Sequence, residues 1–115
     1  MNADTSNGAG YAGEYIDLAV EVFSMLAEPT RIRIVLALQH GELSVGQLAD
    51  AVGKAPAAVS QHLAKLRLAR IVTTRQDGQR VYYSLTNEHA IELVTNSLQQ
   101  AEHALDDSPS HHRLP

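Results

Sequence analysis

Residues 42–72 read "ELSVGQLADAVGKAPAAVSQHLAKLRLARIV". Ser44 followed three residues later by Gln47 fits a capping box, in which each side chain satisfies the other residue's backbone N–H. A short helix is therefore expected from about Val45 to Val52. Gly53 suits the left-handed conformation that ends such a helix, and Pro56 suits the first turn of a second one reaching about Ala69. On that second helix Val59, Leu63 and Leu66 line the buried side, leaving Ala57, Ser60, Gln61, Ala64 and Lys65 on the open side. Two short helices joined by a glycine-containing turn describe a helix-turn-helix, whose second helix enters a DNA major groove. Ala57 and Ala58 permit close approach; Ser60, Gln61 and His62 can hydrogen-bond to bases or phosphates.

The flanking segments extend this reading. Downstream, "IVTTRQDGQRVYYSL" (71–85) holds two β-rich runs around Asp77–Gly78, a strong hairpin signal. Val81, Tyr83 and Leu85 alternate on one face, with Arg75 and Arg80 flanking the tip. A basic hairpin directly after a helix-turn-helix is a wing that reaches the sugar–phosphate backbone. Upstream, Ile16, Val20, Phe23 and Ala27 recur at helical steps from Glu14 onward, and "EPTRIRIVLALQHG" (28–41) reads as a further helix with Pro29 in its first turn. "MNADTSNGAGYAG" (1–13) is small, polar and glycine-rich, so it is expected to be a mobile arm. The last helix, about Asn87 to Leu105, carries Ile91, Val94, Leu98, Ala101 and Leu105 as one apolar stripe suited to pairing with its twin. The expected fold is mainly α with a small β-hairpin: a winged helix-turn-helix of about five helices and a two-stranded wing over residues 14–105. It is expected to dimerise through its terminal helices and to end in a flexible tail, 106–115.

Composition sets the outer bounds. At 115 residues the chain is one domain, large enough for one core. No run approaches the ~18 to 20 apolar residues of a membrane span, and the N-terminus lacks a signal-peptide pattern, so the default expectation is the cytoplasm. The absence of cysteine excludes a disulfide framework, an iron–sulfur cluster and a thiolate metal site. The net charge of −4 hides a pattern. Residues 54–80 carry Lys54, Lys65, Arg67, Arg70, Arg75 and Arg80 against Asp77, whereas both ends are acidic. A polyanion is expected to meet the middle. No HExxH, phosphate-binding glycine loop or cysteine nucleophile is present, so an enzyme is not expected.

"LAEPTRIRIVLAL" (26–38), "ELSVGQLADAVG" (42–53), "APAAVSQHLAKLRLARIV" (55–72) and "RQDGQRVYYSL" (75–85) stand in the order seen in the ArsR/SmtB family of bacterial metal-responsive repressors. The resemblance spans roughly Val20 to His103, and "VSQHLAKLR" is its most specific part. It implies a homodimer that binds a palindromic operator and lets go when a metal binds. One group in the family places cysteines within a segment like "ELSVGQL"; Ser44 and Gly46 occupy those positions here. A second group holds zinc through an Asp-x-His pair opening the last helix and two histidines near its end. Here Asn87 and His89 stand at the first pair, with Gln100 and His103 at the second, so half of that set is missing. The tail most resembles the nickel- and cobalt-sensing mycobacterial members, whose pattern is matched residue by residue at His89, Glu102, His103, His111 and His112.

His89 and His103 lie fourteen residues apart, on roughly one face but separated by ~21 Å along the axis, so within one chain they cannot share an ion. An antiparallel pair of identical helices would bring His89 of one chain opposite His103 of the other, with Glu102 beside it. His111 and His112, after "DDSPS", could then fold back to close the shell. Imidazole nitrogens and a carboxylate, without sulfur, suit nickel(II) or cobalt(II) better than a closed tetrahedral zinc site, although zinc(II) binds imidazole well. The expected DNA contacts are thus Lys54, Ala57, Ser60, Gln61, His62, Lys65, Arg75 and Arg80; the expected dimer contacts are Ile91, Val94, Leu98 and Ala101. Competing expectations make the chain the DNA-binding half of a two-protein regulator, with a separate sensor protein docking on Glu14 to Ala27 and the last helix, or a regulator of the resembled family that responds to zinc or to no metal.

Overall fold

In the computed structural model, residues 6–7 and 10–106 are described. The helix-turn-helix forms where the capping signals place it. Helix α3 (Val45–Val52) starts at Ser44, whose Oγ accepts from the Gln47 N–H at 3.3 Å while Gln47 Oε1 accepts from the Ser44 N–H at 2.9 Å. It stops at Gly53, which adopts φ 69°, a left-handed value that costs a residue with a Cβ about 1–2 kcal/mol. Helix α4 (Pro56–Leu68) opens with its proline and buries Val59, Leu63 and Leu66 completely. That row meets Leu48, Ala49 and Val52 of α3 and Ile34 and Val35 of α2 (Pro29–Ala37) in a single core. Burying one such large aliphatic side chain is worth about 1.5–3 kcal/mol, so this row is what fixes α4 on the scaffold. The helix ends with the Ile71 N–H donating to the Leu66 carbonyl and Arg70 held at φ 61°, a Schellman-type stop built on a residue with a side chain.

The wing follows at once. Strands β4 (Val72–Asp77) and β5 (Arg80–Leu85) pair antiparallel, Val72 opposite Leu85 and Asp77 opposite Arg80. The turn residues are Gly78 and Gln79, one step beyond the Asp77–Gly78 centre expected from sequence. Gly78 takes φ 63° and Gln79 does not follow it to positive φ, as a II′-type hairpin requires. A third strand, β3 (Leu43–Ser44), pairs with β5 through Leu43–Tyr83 and Ser44–Tyr82, giving the order β3-β5-β4. Two residues are too few to leave a periodic signature, so sequence reading missed this strand.

The outer elements depart further from expectation. Helix α1 (Gly13–Leu26) buries Leu26 alone; its apolar stripe, Ile16, Val20 and Phe23, stays exposed. Within the expected arm 1–13, β1 (Ser6–Asn7) pairs with β2 (Tyr11–Ala12), and Gly13 already belongs to α1. Beyond α2 the chain continues through a 3-10 turn, Leu38–His40. Helix α5 (His89–Asp106) begins where Asn87 Oδ1 accepts from the His89 N–H at 2.9 Å, and it buries Ala90 and Val94 against the core. Asp106, expected to open the tail, closes this helix; residues 107–115 lie outside the described residues. Among the described residues the result is five α-helices with a three-stranded antiparallel sheet and the short β1–β2 pair.

Candidate nucleic-acid interface and metal ligands

Because Val59, Leu63 and Leu66 turn into the core, the opposite side of α4 faces solvent: Ala57, Ser60, Gln61 and Lys65 are exposed, with Lys54 exposed in the preceding turn. A helix about 10–12 Å across presented this way matches a major groove about 12 Å wide. His62 departs from its expected place. Its Nδ1 accepts a hydrogen bond from Arg31 Nε at 3.1 Å and lies 3.9 Å from Glu28 Oε1, so the ring turns toward the start of α2. Glu28 in turn caps α2 by accepting from the Arg31 N–H at 2.9 Å, a bond that holds its carboxyl below the usual carboxylate value.

The two wing arginines separate as well. Arg80 is exposed, and among the described residues its side chain has no polar partner. Arg75, expected at the phosphate backbone, is instead engaged in both prongs of its guanidinium by Glu42: Nε donates to Oε1 at 2.9 Å and Nη2 donates to Oε2. It also stacks 5.0 Å from the centroid of Tyr82 and lies 3.9 Å from Asp77. The Glu42 hydrogen bond raises the Arg75 pKa and lowers that of Glu42. With Glu42 neutralising it, Arg75 ties the wing to the segment before β3. Arg67 and Arg70, counted in the basic middle of the sequence but left out of the expected DNA contacts, line a groove with Ser60, Ala64 and Tyr83 between α4 and the wing. Their signal was available: Arg67 stands seven residues, two turns, after Ser60.

His89 opens α5 while Glu102 and His103 lie near its other end, all exposed. Fourteen residues of helix keep the two histidines ~21 Å apart along the axis. Among the described residues no three metal-ligating side chains come together within the chain. His111 and His112 lie outside the described residues. The apolar stripe of α5 divides. Val94 is 3% exposed and belongs to the chain's own core, contrary to its expected place at a dimer contact; Ile91 is half-buried, whereas Leu98 and Ala101 are exposed. Phe23, Leu26, Ala27 and Ile32 form an apolar groove with Leu93, Val94 and Ser97.

A helix-turn-helix with an uncovered second helix, followed by a hairpin with Arg80 exposed at its tip, defines the winged-helix class of DNA-binding folds. The chain belongs to the ArsR family. The description "Bacterial regulatory protein, arsR family" matches residues 28–74. The chain is 50% identical over 100 residues to the HTH-type transcriptional regulator KmtR of Mycobacterium tuberculosis, covering 87% of this chain and 77% of that protein. It is 42% identical over 85 residues to the transcriptional repressor SmtB homolog of Synechocystis, covering 71% and 64%. Among solved structures, the homodimeric winged helix-turn-helix DNA-binding domain of Mb0332 from Mycobacterium bovis superposes with a TM-score of 0.74 at 28% identity, over 90% of this chain and 99% of that one. NolR from Sinorhizobium fredii gives 0.69 at 36% identity, over 76% and 87%. Among the described residues, no helix is long and apolar enough to cross a membrane.

Proposed function

We propose that the chain acts as a homodimeric repressor that leaves its operator when nickel(II) or cobalt(II) binds. The observation that carries this reading is the state of α5: His89, Glu102 and His103 are exposed at opposite ends of one helix, with Leu98 and Ala101 exposed between them. In a two-fold pairing across that surface and α1, His89 of one protomer comes beside Glu102 and His103 of its partner. The donor set is imidazole and carboxylate without a thiolate, which fits nickel(II) or cobalt(II) and also admits zinc(II). A bound cation there supplies a link between protomers that selects one relative angle of the two recognition helices. His111 and His112 complete the proposed ligand set. Lys54, Ala57, Ser60, Gln61, Lys65 and Arg80 form the proposed DNA surface.

Calorimetric titration of the protein with nickel(II), compared with a chain ending at Pro109, tests the reading. Tight binding near one ion per chain, weakened by the truncation and by His103→Ala, is expected. Metal-free operator binding should survive His103→Ala. Weak binding unaffected by truncation would overturn the metal assignment and point to a separate sensor protein.

A further inference from the structure

We infer that Arg31 and His62 form a positioning clamp that sets the angle of the recognition helix α4 against the α1–α2 corner. His62 is the one polar residue in the middle of α4 whose side chain turns inward, being 22% exposed. One guanidinium joins three helices. Arg31 Nε donates to His62 Nδ1 of α4 at 3.1 Å, while Nη1 donates to the Met25 carbonyl oxygen in the last turn of α1 at 3.2 Å and approaches its sulfur at 3.7 Å. The backbone N–H of the same residue is fixed by Glu28. Arginine's rigid planar fork makes this three-way geometry specific; a lysine ammonium at that place could not reproduce it.

Two consequences follow from the chemistry. Since Nδ1 accepts from a permanent cation, it carries no proton in this arrangement, so the ring is the Nε2–H tautomer. Moreover, the clamp lies between the exposed stripe of α1 and the DNA-facing side of α4, so a shift of the α1 corner is passed to α4 through one side chain. Apolar packing of Val59, Leu63 and Leu66 holds α4 on the core but permits it to roll; a directional bond from a partly buried group limits that roll. His62 therefore serves sequence discrimination without touching a base, a role different from the one its place in "VSQHL" suggests.

The test uses the intact protein and two DNA probes: a duplex selected from a random pool by the wild-type protein, and poly(dI-dC) as bulk DNA. His62→Leu keeps the bulk and removes the acceptor; His62→Asn keeps an acceptor oxygen at the position of Nδ1; Arg31→Lys keeps the charge and loses the fork. His62→Leu and Arg31→Lys should each weaken binding to the selected duplex by about tenfold, the scale of a hydrogen bond to a charged group, with bulk binding unchanged. His62→Asn should restore most of the loss. Nitrogen-15 NMR of the unmutated protein should show an unprotonated Nδ1 on His62. Equal losses in His62→Leu and His62→Asn, a matching fall in bulk binding, or a protonated Nδ1 would each overturn the clamp.

Discussion

Replacing Arg80 and Arg75 separately distinguishes a contact from a latch. Arg80 is exposed at the first position of β5, and among the described residues its guanidinium has no polar partner. Arg75 gives both prongs to Glu42 and stacks on Tyr82. Each phosphate neutralised on duplex DNA contributes about 0.9 to the slope of log K against log salt. In the proposed homodimer Arg80→Ala removes one contact from each wing, so the slope should flatten by about 1.8. Between 50 and 200 mM salt, a fourfold change, that difference amounts to about tenfold. The affinity ratio of wild type to Arg80→Ala should shrink by that factor across the range. Arg75→Ala should leave the slope within about 0.5 of wild type, because the lost charge was already matched by Glu42. Fluorescence anisotropy on bulk and operator duplexes at four or five salt concentrations reads both slopes. If Arg75→Ala flattens the slope as much as Arg80→Ala, DNA displaces Glu42 and the latch does not persist in the complex. An unchanged slope for Arg80→Ala would remove Arg80 from the phosphate contacts.

Three further outcomes are expected. Arg70→Gly should stabilise the fold by about 0.5–1 kcal/mol, the ~1–2 kcal/mol strain of a left-handed non-glycine residue less the added freedom of the unfolded chain; a lower urea midpoint at fixed protein concentration would contradict this. The Glu42 carboxyl should titrate below the ordinary 4.5, since pairing with Arg75 favours its charged form. The sign follows: the latch stabilises the wing above the ordinary carboxylate range and is lost as pH falls through the lowered value. Carbon-13 NMR should show that midpoint moving back up in Arg75→Ala, and a midpoint that stays put would deny the pairing. Finally, Phe23→Glu and Leu98→Glu, at side chains 56% and 43% exposed, should turn the proposed dimer into monomers in sedimentation equilibrium without unfolding the chain; a dimeric mass kept in both variants would contradict pairing through these side chains.

The helix-turn-helix was legible because its signals are local. Ser44 and Gln47 are three residues apart, Gly53 and Pro56 act on their own backbone, and Val59, Leu63 and Leu66 repeat with the helix. The hairpin was legible for the same reason, since Gly78 supplies the positive φ that its turn requires. Strand β3 was not, because two residues owe their conformation to β5 and not to their own side chains. The stripe on α1 was read correctly as helical, but periodicity alone does not say whether a stripe is covered by its own chain. Leu26 is covered; Ile16, Val20 and Phe23 are not.

The functional surface shows where such reading stops. Periodicity assigns a residue to a face of its helix, and His62 falls at the edge between the buried row and the open one. What decides its direction is Arg31, thirty-one positions earlier in the chain. Arg75 likewise sits where a wing arginine should meet phosphate, and Glu42, thirty-three positions away, claims it first. Val94 completes a stripe with Ile91 and Leu98, yet the core reaches it before a partner can. In each case the residue type was right for the role and a long-range neighbour had the stronger claim. His89 and His103 are the converse: among the described residues of their own chain no cluster of ligands claims them, and ~21 Å of helix separates them. A shared role for these two histidines therefore requires a second copy of α5, so the metal proposal rests on the dimer proposal, whereas a dimer paired through Leu98 and Ala101 stands without the metal.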